Sequence, residues 1–207
     1  MSYSVITISR EFGTGARVVG KELADKLGYA YYDRALIQLA AEKSGLSAEF
    51  IERSEDKAKG GFFANVASVA SSSAYVTSGI NLQYTPPSND RLFLAQSEVI
   101  RDLAKQGSCV IIGRCADYIC QSYIKSLLRV HLYGSIEDRV KRCVELYGYD
   151  PATAVHEVHK VDKGRANYHK FYTGLPWKDM SQYDVCIDTS KTGLDKAVNA
   201  LYSLIVE

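Results

Sequence analysis

Arg10, Gly13, Thr14, Gly15, Ala16 and Arg17 fall between the β-branched run Val5-Ile6-Thr7-Ile8 and the helical spacing Val19, Leu23, Leu27. A glycine turn between a strand and a helix start offers unpaired backbone N–H groups and the positive end of the helix dipole, a combination that suits phosphate. Gly13 and Gly15 permit positive φ and close approach of an anion, and Arg10 and Arg17 bracket the turn with guanidinium forks. Against the phosphate-loop pattern Gly-x-x-x-x-Gly-Lys-Ser/Thr, Gly15 is the second glycine. Arg10 then holds the place of the first glycine, Ala16 that of the lysine and Arg17 that of the hydroxyl. Two arginines can do the charge work of one lysine. A plain turn with surface arginines uses the same residues, and the position after the first strand favours the phosphate.

Two further arginines follow strand-like runs. Asp33-Arg34 comes after Ala30 to Tyr32, where Asp33 suits a helix N-cap and Arg34 reaches toward the carboxyl edge of a sheet. Gly113-Arg114 comes directly after Cys109 to Ile112. An arginine leaving a buried strand needs a partner or a bound anion, which makes Arg114 a candidate phosphate ligand. Asp117 is either its partner or a helix cap. Farther on, Glu145 to Trp177 places Lys160, Lys163, Arg165, His169 and Lys170 among tyrosines and reads as a basic flap. Val155, Val158 and Val161 mark a helical stripe there, and Asp162 and Arg165 fall three apart on another face. That spacing lets Asp162 hold Arg165 ready over a bound polyphosphate. His169 reads as a polar surface group, and Lys160 and Lys163 as part of a solvated face.

These residues need a scaffold that gathers strand ends. Strand-like runs at Val5 to Ser9, Ala30 to Tyr32, Cys109 to Ile112, Arg129 to Tyr133 and Val185 to Ile187 alternate with helical segments, which predicts a parallel sheet with helices on both faces. Ligands of such sheets lie at the carboxyl ends of the strands. Gly28 and Gly107 end helices, Ser135 with Asp138 starts one, and Asp150-Pro151 opens another. Residues 47–87 contain Gly60-Gly61, Ser71-Ser72-Ser73 and Pro86-Pro87 without a sustained apolar face, and read as an insertion.

Composition narrows the classes. Length fits one domain with insertions, and 25 basic against 24 acidic residues give no bulk charge for a nucleic-acid or membrane surface. Five cysteines without Cys-x-x-Cys spacing read as reduced thiols, and no apolar run approaches membrane-spanning length, so the expectation is a cytoplasmic protein. Zinc spacing, a Gly-x-Ser-x-Gly elbow and a repeated aromatic-basic platform are missing from the sequence.

Ile8 to Arg17, Tyr31 to Arg34, Ile112-Gly113-Arg114, Val161 to Tyr168 and Tyr172-Thr173-Gly174 together resemble the cytidylate kinase-like family of P-loop nucleoside monophosphate kinases, over nearly the whole chain. The resemblance implies a three-layer α/β P-loop NTPase fold of about five parallel strands, with a helical acceptor-binding insertion and a lid. It implies one kinase-like domain with core segments 1–46, 88–144 and 178–207, the insertion at 47–87 and the lid at 145–177. It further implies transfer of the ATP γ-phosphoryl to a nucleoside monophosphate, CMP or dCMP first, with ATP and Mg²⁺ as cofactors and nucleotides as partners. Arg10 and Gly13 to Arg17 would hold the ATP phosphates, Asp33, Arg34 and Arg114 the acceptor, and Arg17, Asp162 and Arg165 would serve the transfer. Departures from the pattern are Ala16 at the lysine position, Arg17 at the Mg²⁺-binding hydroxyl, and Ile112 where an acidic residue would precede Gly-Arg. They keep two other readings open: a non-catalytic nucleotide or phosphate sensor, and a kinase for another small-molecule acceptor.

Overall fold

Ile6 and Ile8, Val110 and Ile112, Val130 and Leu132 send their side chains to one face of a sheet, while Val5, Cys109 and Ile111 serve the other. Strands buried on both faces belong to a parallel sheet covered by helices. The computed structural model describes residues 3–33 and 88–206. In it β1 (Val5–Arg10), β2 (Ala30–Tyr32), β3 (Cys109–Ile112), β4 (Leu127–Tyr133) and β5 (Val185–Asp188) form one sheet in the order β2-β3-β1-β4-β5, parallel throughout. The strands agree with the runs read from sequence, except that β4 starts two residues earlier, at Leu127, and β1 and β5 each run one residue further, to Arg10 and Asp188.

Helices α1 (Ala16–Leu27), α2 (Ser88–Gln106), α3 (Ala116–Cys120), α4 (Ile136–Tyr147), α5 (Ala154–Thr173), α6 (Thr189–Thr192) and α7 (Leu194–Val206) surround the sheet. On one face α1 and α7 pack Val19, Leu23, Val198 and Leu201 against Ile6, Ile8 and Val130. On the other, α2 and α3 pack Val99, Ile100, Leu103 and Ile119 against Val5, Cys109 and Ile111. The result is the predicted three-layer arrangement. Arg34 and the segment 47–87 lie outside the described residues.

Register decides where the chemistry collects. Ile8 pairs with Ile112 on one side and Val130 on the other, so β3 ends opposite Ile8 while β1 and β4 run on to Arg10 and Tyr133. Gly113 N then donates to Ile8 O at 3.0 Å and Glu11 N to Leu132 O at 2.9 Å. The Ser135 cap also forms as read: its hydroxyl accepts from Asp138 N at 3.2 Å and aims α4 across the β1 end.

The flap differs from its sequence reading in three respects. Asp150 opens a turn by accepting from Thr153 N and Ala154 N, and α5 itself begins at Ala154. The buried face carries Ala154, Val158, Asp162 and His169, whereas Val155 is 48 % exposed. His169 is thus interior. Periodicity counts apolar residues, and here a carboxylate and an imidazole take core positions because each meets a partner of opposite character.

Candidate active site

The loop after β1 is held by its carbonyl groups. Arg165 Nη1 donates to Arg10 O at 3.0 Å, Arg139 Nη1 to Phe12 O at 3.1 Å and Arg142 Nη1 to Gly13 O at 2.5 Å. The Thr14 hydroxyl donates to Glu11 O at 2.9 Å, and Phe12 N donates to Asp162 Oδ1 at 2.7 Å. Among the described residues no acceptor takes the N–H of Gly13, Thr14, Gly15 or Ala16. These groups cluster at the start of α1, which Gly15 caps without a side-chain bond. Gly13 has φ 81°, and a Cβ there would stand 2.6 Å from Arg139 O, so the loop closes this tightly only with glycine. A row of free N–H groups at a helix start is an anion cradle.

Behind the loop is a compensated ionic network. Buried Arg139 pairs with Asp162 at 2.5 Å and lies 3.5 Å from Glu11, and its Nε donates to Gly134 O at 3.1 Å. Glu11 also accepts from Gly134 N at 3.3 Å and pairs with Lys178. Two carboxylates therefore meet two cations, with backbone groups satisfying the remaining positions. Asp162 holds the loop and Arg139, where the sequence spacing pairs it with Arg165.

The cleft at the strand ends is different. Arg17, 70 % exposed, pairs through Nε with Asp33 Oδ2 at 2.7 Å and links the loop to the β2 end. The Arg10 guanidinium lies over Gly113, where any Cβ would overlap it. Gly113, Arg114 and Cys115 all adopt left-handed backbone, with φ of 73°, 59° and 55°. For the two non-glycine residues this strain is about 1–2 kcal/mol each. Arg165 stacks on Phe12 with its guanidinium carbon 5.3 Å from the ring centre. Burial lowers Arg10 to about 10, with Asp33 opposing and Arg114 and Arg17 adding to the drop. Burial likewise lowers Arg165 to about 9, with Arg10 adding and Asp162 opposing. Both stay charged at neutral pH, and both gain from a nearby anion.

Asp117 lies in the first turn of α3 and faces His169 Nε2 at 3.5 Å, while His169 Nδ1 lies 3.2 Å from Leu175 O. Burial works against the charge on His169, but Asp117 and the Leu175 carbonyl outweigh it and raise the imidazole above its usual range. Glu11, Arg139, Arg142 and Lys178 are the site residues that sequence reading passed over. Glu11 lay in view, inside the loop; Arg139 and Lys178 reach it from 128 and 167 residues away, beyond any local pattern.

The described residues at the cleft do not fit a divalent cation. Arg17 and Ile112 occupy the positions that would carry its hydroxyl and carboxylate ligands, the Thr14 hydroxyl is engaged with Glu11 O, and Asp33 is paired with Arg17. Among the described residues no three His, Cys, Asp or Glu side chains group to hold a metal. Nor, among those residues, is any helix long and apolar enough to cross a membrane.

Strand order β2-β3-β1-β4-β5 with a glycine loop between β1 and α1 defines the class as a P-loop kinase fold. Shikimate kinase from Bacteroides thetaiotaomicron superposes with a TM-score of 0.54 at 13 % identity over 99 % of both chains, a likeness of fold alone. The chain belongs to the cytidylate kinase-like family, which matches residues 5–191. A cytidylate kinase of Methanopyrus kandleri is 21 % identical, covering 97 % of this chain and 92 % of its own. The crystal structure of an uncharacterized protein from Eubacterium ventriosum is similar at 26 % identity and a TM-score of 0.68, over 97 % of each chain.

Proposed function

We propose that the chain is an ATP-dependent phosphotransferase whose acceptor is a nucleoside monophosphate, CMP or dCMP first. The observation that carries this reading is the cradle of N–H groups from Gly13 to Ala16, bordered by Arg10 and Arg165. Family membership supports kinase chemistry, and the Methanopyrus kandleri relative supports the cytidylate acceptor.

In this reading Gly13, Thr14, Gly15, Ala16 and Arg17 bind the ATP phosphates through the backbone. Arg165, stacked on Phe12, stabilises the charge spread over the transferring group. Asp33, Arg34 and Arg114 receive the acceptor, whose phosphate oxygen bonds to the γ phosphorus as the bond to the bridging oxygen breaks. ADP and a nucleoside diphosphate leave. Asp162 acts through the loop: it fixes Phe12 N and Arg139 and so sets the cradle's shape. Residues 47–87 contribute acceptor contacts, 145–177 act as the lid, and both belong to one domain with the core. Transfer of this kind depends on alignment, charge stabilisation and exclusion of water.

The test supplies ATP with each common nucleoside monophosphate and reads diphosphate formation. The reading expects CDP or dCDP to form fastest. A sensor is the second reading, favoured by Ala16 at the lysine position, and would bind ATP with no turnover on any acceptor.

A further inference from the structure

We propose that the Arg10 guanidinium is a built-in cation for the nucleotide phosphates, so that this chain takes up ATP without a divalent metal. The inference rests on the nucleotide reading above. Arg10 ends β1, and its guanidinium occupies the space over Gly113, immediately past β3. Arg17 and Arg114 lie close enough to act on its charge. It thus stands between the loop and the β3 end, the two places from which a P-loop enzyme presents its metal ligands. Arg17 and Ile112 hold those ligand positions, and neither offers an oxygen from its side chain.

Among the described residues the side-chain oxygens nearby are already engaged. Thr14 donates its hydroxyl to Glu11 O, Asp33 binds Arg17, Asp162 binds Arg139 and Phe12 N, Glu11 binds Lys178, and Asp117 faces His169. A divalent ion would have to break one of these pairs and then sit among cations. Arg17 and Arg114 act on Arg10, and all three act on Arg165, across the cleft. A metal-free triphosphate meets the opposite situation, since guanidinium groups match its oxygens bidentately and lose their mutual repulsion on binding.

Gly113 adds an independent constraint. Its left-handed backbone suits glycine, and the Arg10 side chain fills what would be the Cβ position, so strand end and guanidinium are built to fit each other. An arginine that merely decorated the loop would need no such fit.

The test is equilibrium titration of ATP into the full chain, once with excess Mg²⁺ and once with excess EDTA. Wild type should bind with nearly equal affinity in both. Arg10→Gln should lose about tenfold or more of its affinity in EDTA and regain part of it with Mg²⁺, and Arg10→Lys should recover most of the loss. Weakening of wild type by about tenfold or more in EDTA overturns the proposal while leaving the nucleotide reading intact. Equal affinity of wild type and Arg10→Gln in EDTA overturns the role of Arg10. No binding in either buffer overturns both the proposal and the reading beneath it. The wild-type comparison stands even if the variants fail to fold.

Discussion

Arg139 and Arg142 reach the loop from α4 and end on the carbonyls of Phe12 and Gly13, with Asp162 and Glu11 neutralising Arg139. Arg10 lies in the same loop and Arg165 reaches its carbonyl, yet burial pushes both toward deprotonation, helped at Arg10 by Arg114 and Arg17 and at Arg165 by Arg10. Arg139 is compensated, so its charge shapes the backbone. The second pair is crowded by like charges, so its charge is available to a ligand. Residue type is the same in both. What sets Arg139 apart here is a carboxylate bonded directly to its guanidinium.

The sharpest break of that contrast is Arg139→Ala, which leaves Asp162 buried without its cation and Glu11 with Lys178 alone. It should destabilise the fold by about 3–5 kcal/mol, read as a lowered midpoint in urea. A midpoint shift no larger than that of an exposed substitution would mean that the network is ornamental. Arg165→Ala should do the reverse, with a small stability change and an ATP affinity lower by about 1.5–3 kcal/mol, read by titration. Equal effects of both substitutions on stability and on affinity would erase the distinction.

His131 extends the contrast to a neutral group. It is fully buried on β4 between Trp177 and Tyr183, and among the described residues neither ring nitrogen finds a partner. Burial lowers it to about 4, against the raising influence of Glu11 and Asp117. An unfolded chain takes up this proton near pH 6.5, so stability present above that value falls as the pH drops toward about 4. Urea midpoints measured across that window should decline, and His131→Leu should decline less steeply. Parallel declines would remove His131 from the account. The smallest effect belongs to Arg17→Ala: its exposed pair with Asp33 should contribute about 0–1 kcal/mol to stability, with the urea midpoint nearly unmoved.

Much of the fold was legible in the chain because its signals are local. β-Branched runs marked the strands, Gly28 ended α1, and Ser135 with Asp138 started α4. The glycine loop between β1 and α1 was legible for the same reason, since Gly13 to Arg17 sit side by side. Its support was not. Arg139 meets Asp162 across 23 residues and Phe12 across 127, and only the folded chain brings them together. The buried face of α5 also escaped, because Asp162 and His169 look like surface residues until Arg139 and Asp117 are placed opposite them. Val155 shows the converse error, an apolar residue in register that the helix turns outward.

The central claim is that the free N–H groups between Gly13 and Arg17 hold phosphate. Amide ¹⁵N–¹H spectra recorded while ATP is added test it directly. The account predicts that the largest shifts appear at Gly13, Thr14, Gly15 and Ala16, with Phe12 changing less because its N–H already serves Asp162. Binding of ATP that leaves those four amides in place, and moves others instead, would contradict it.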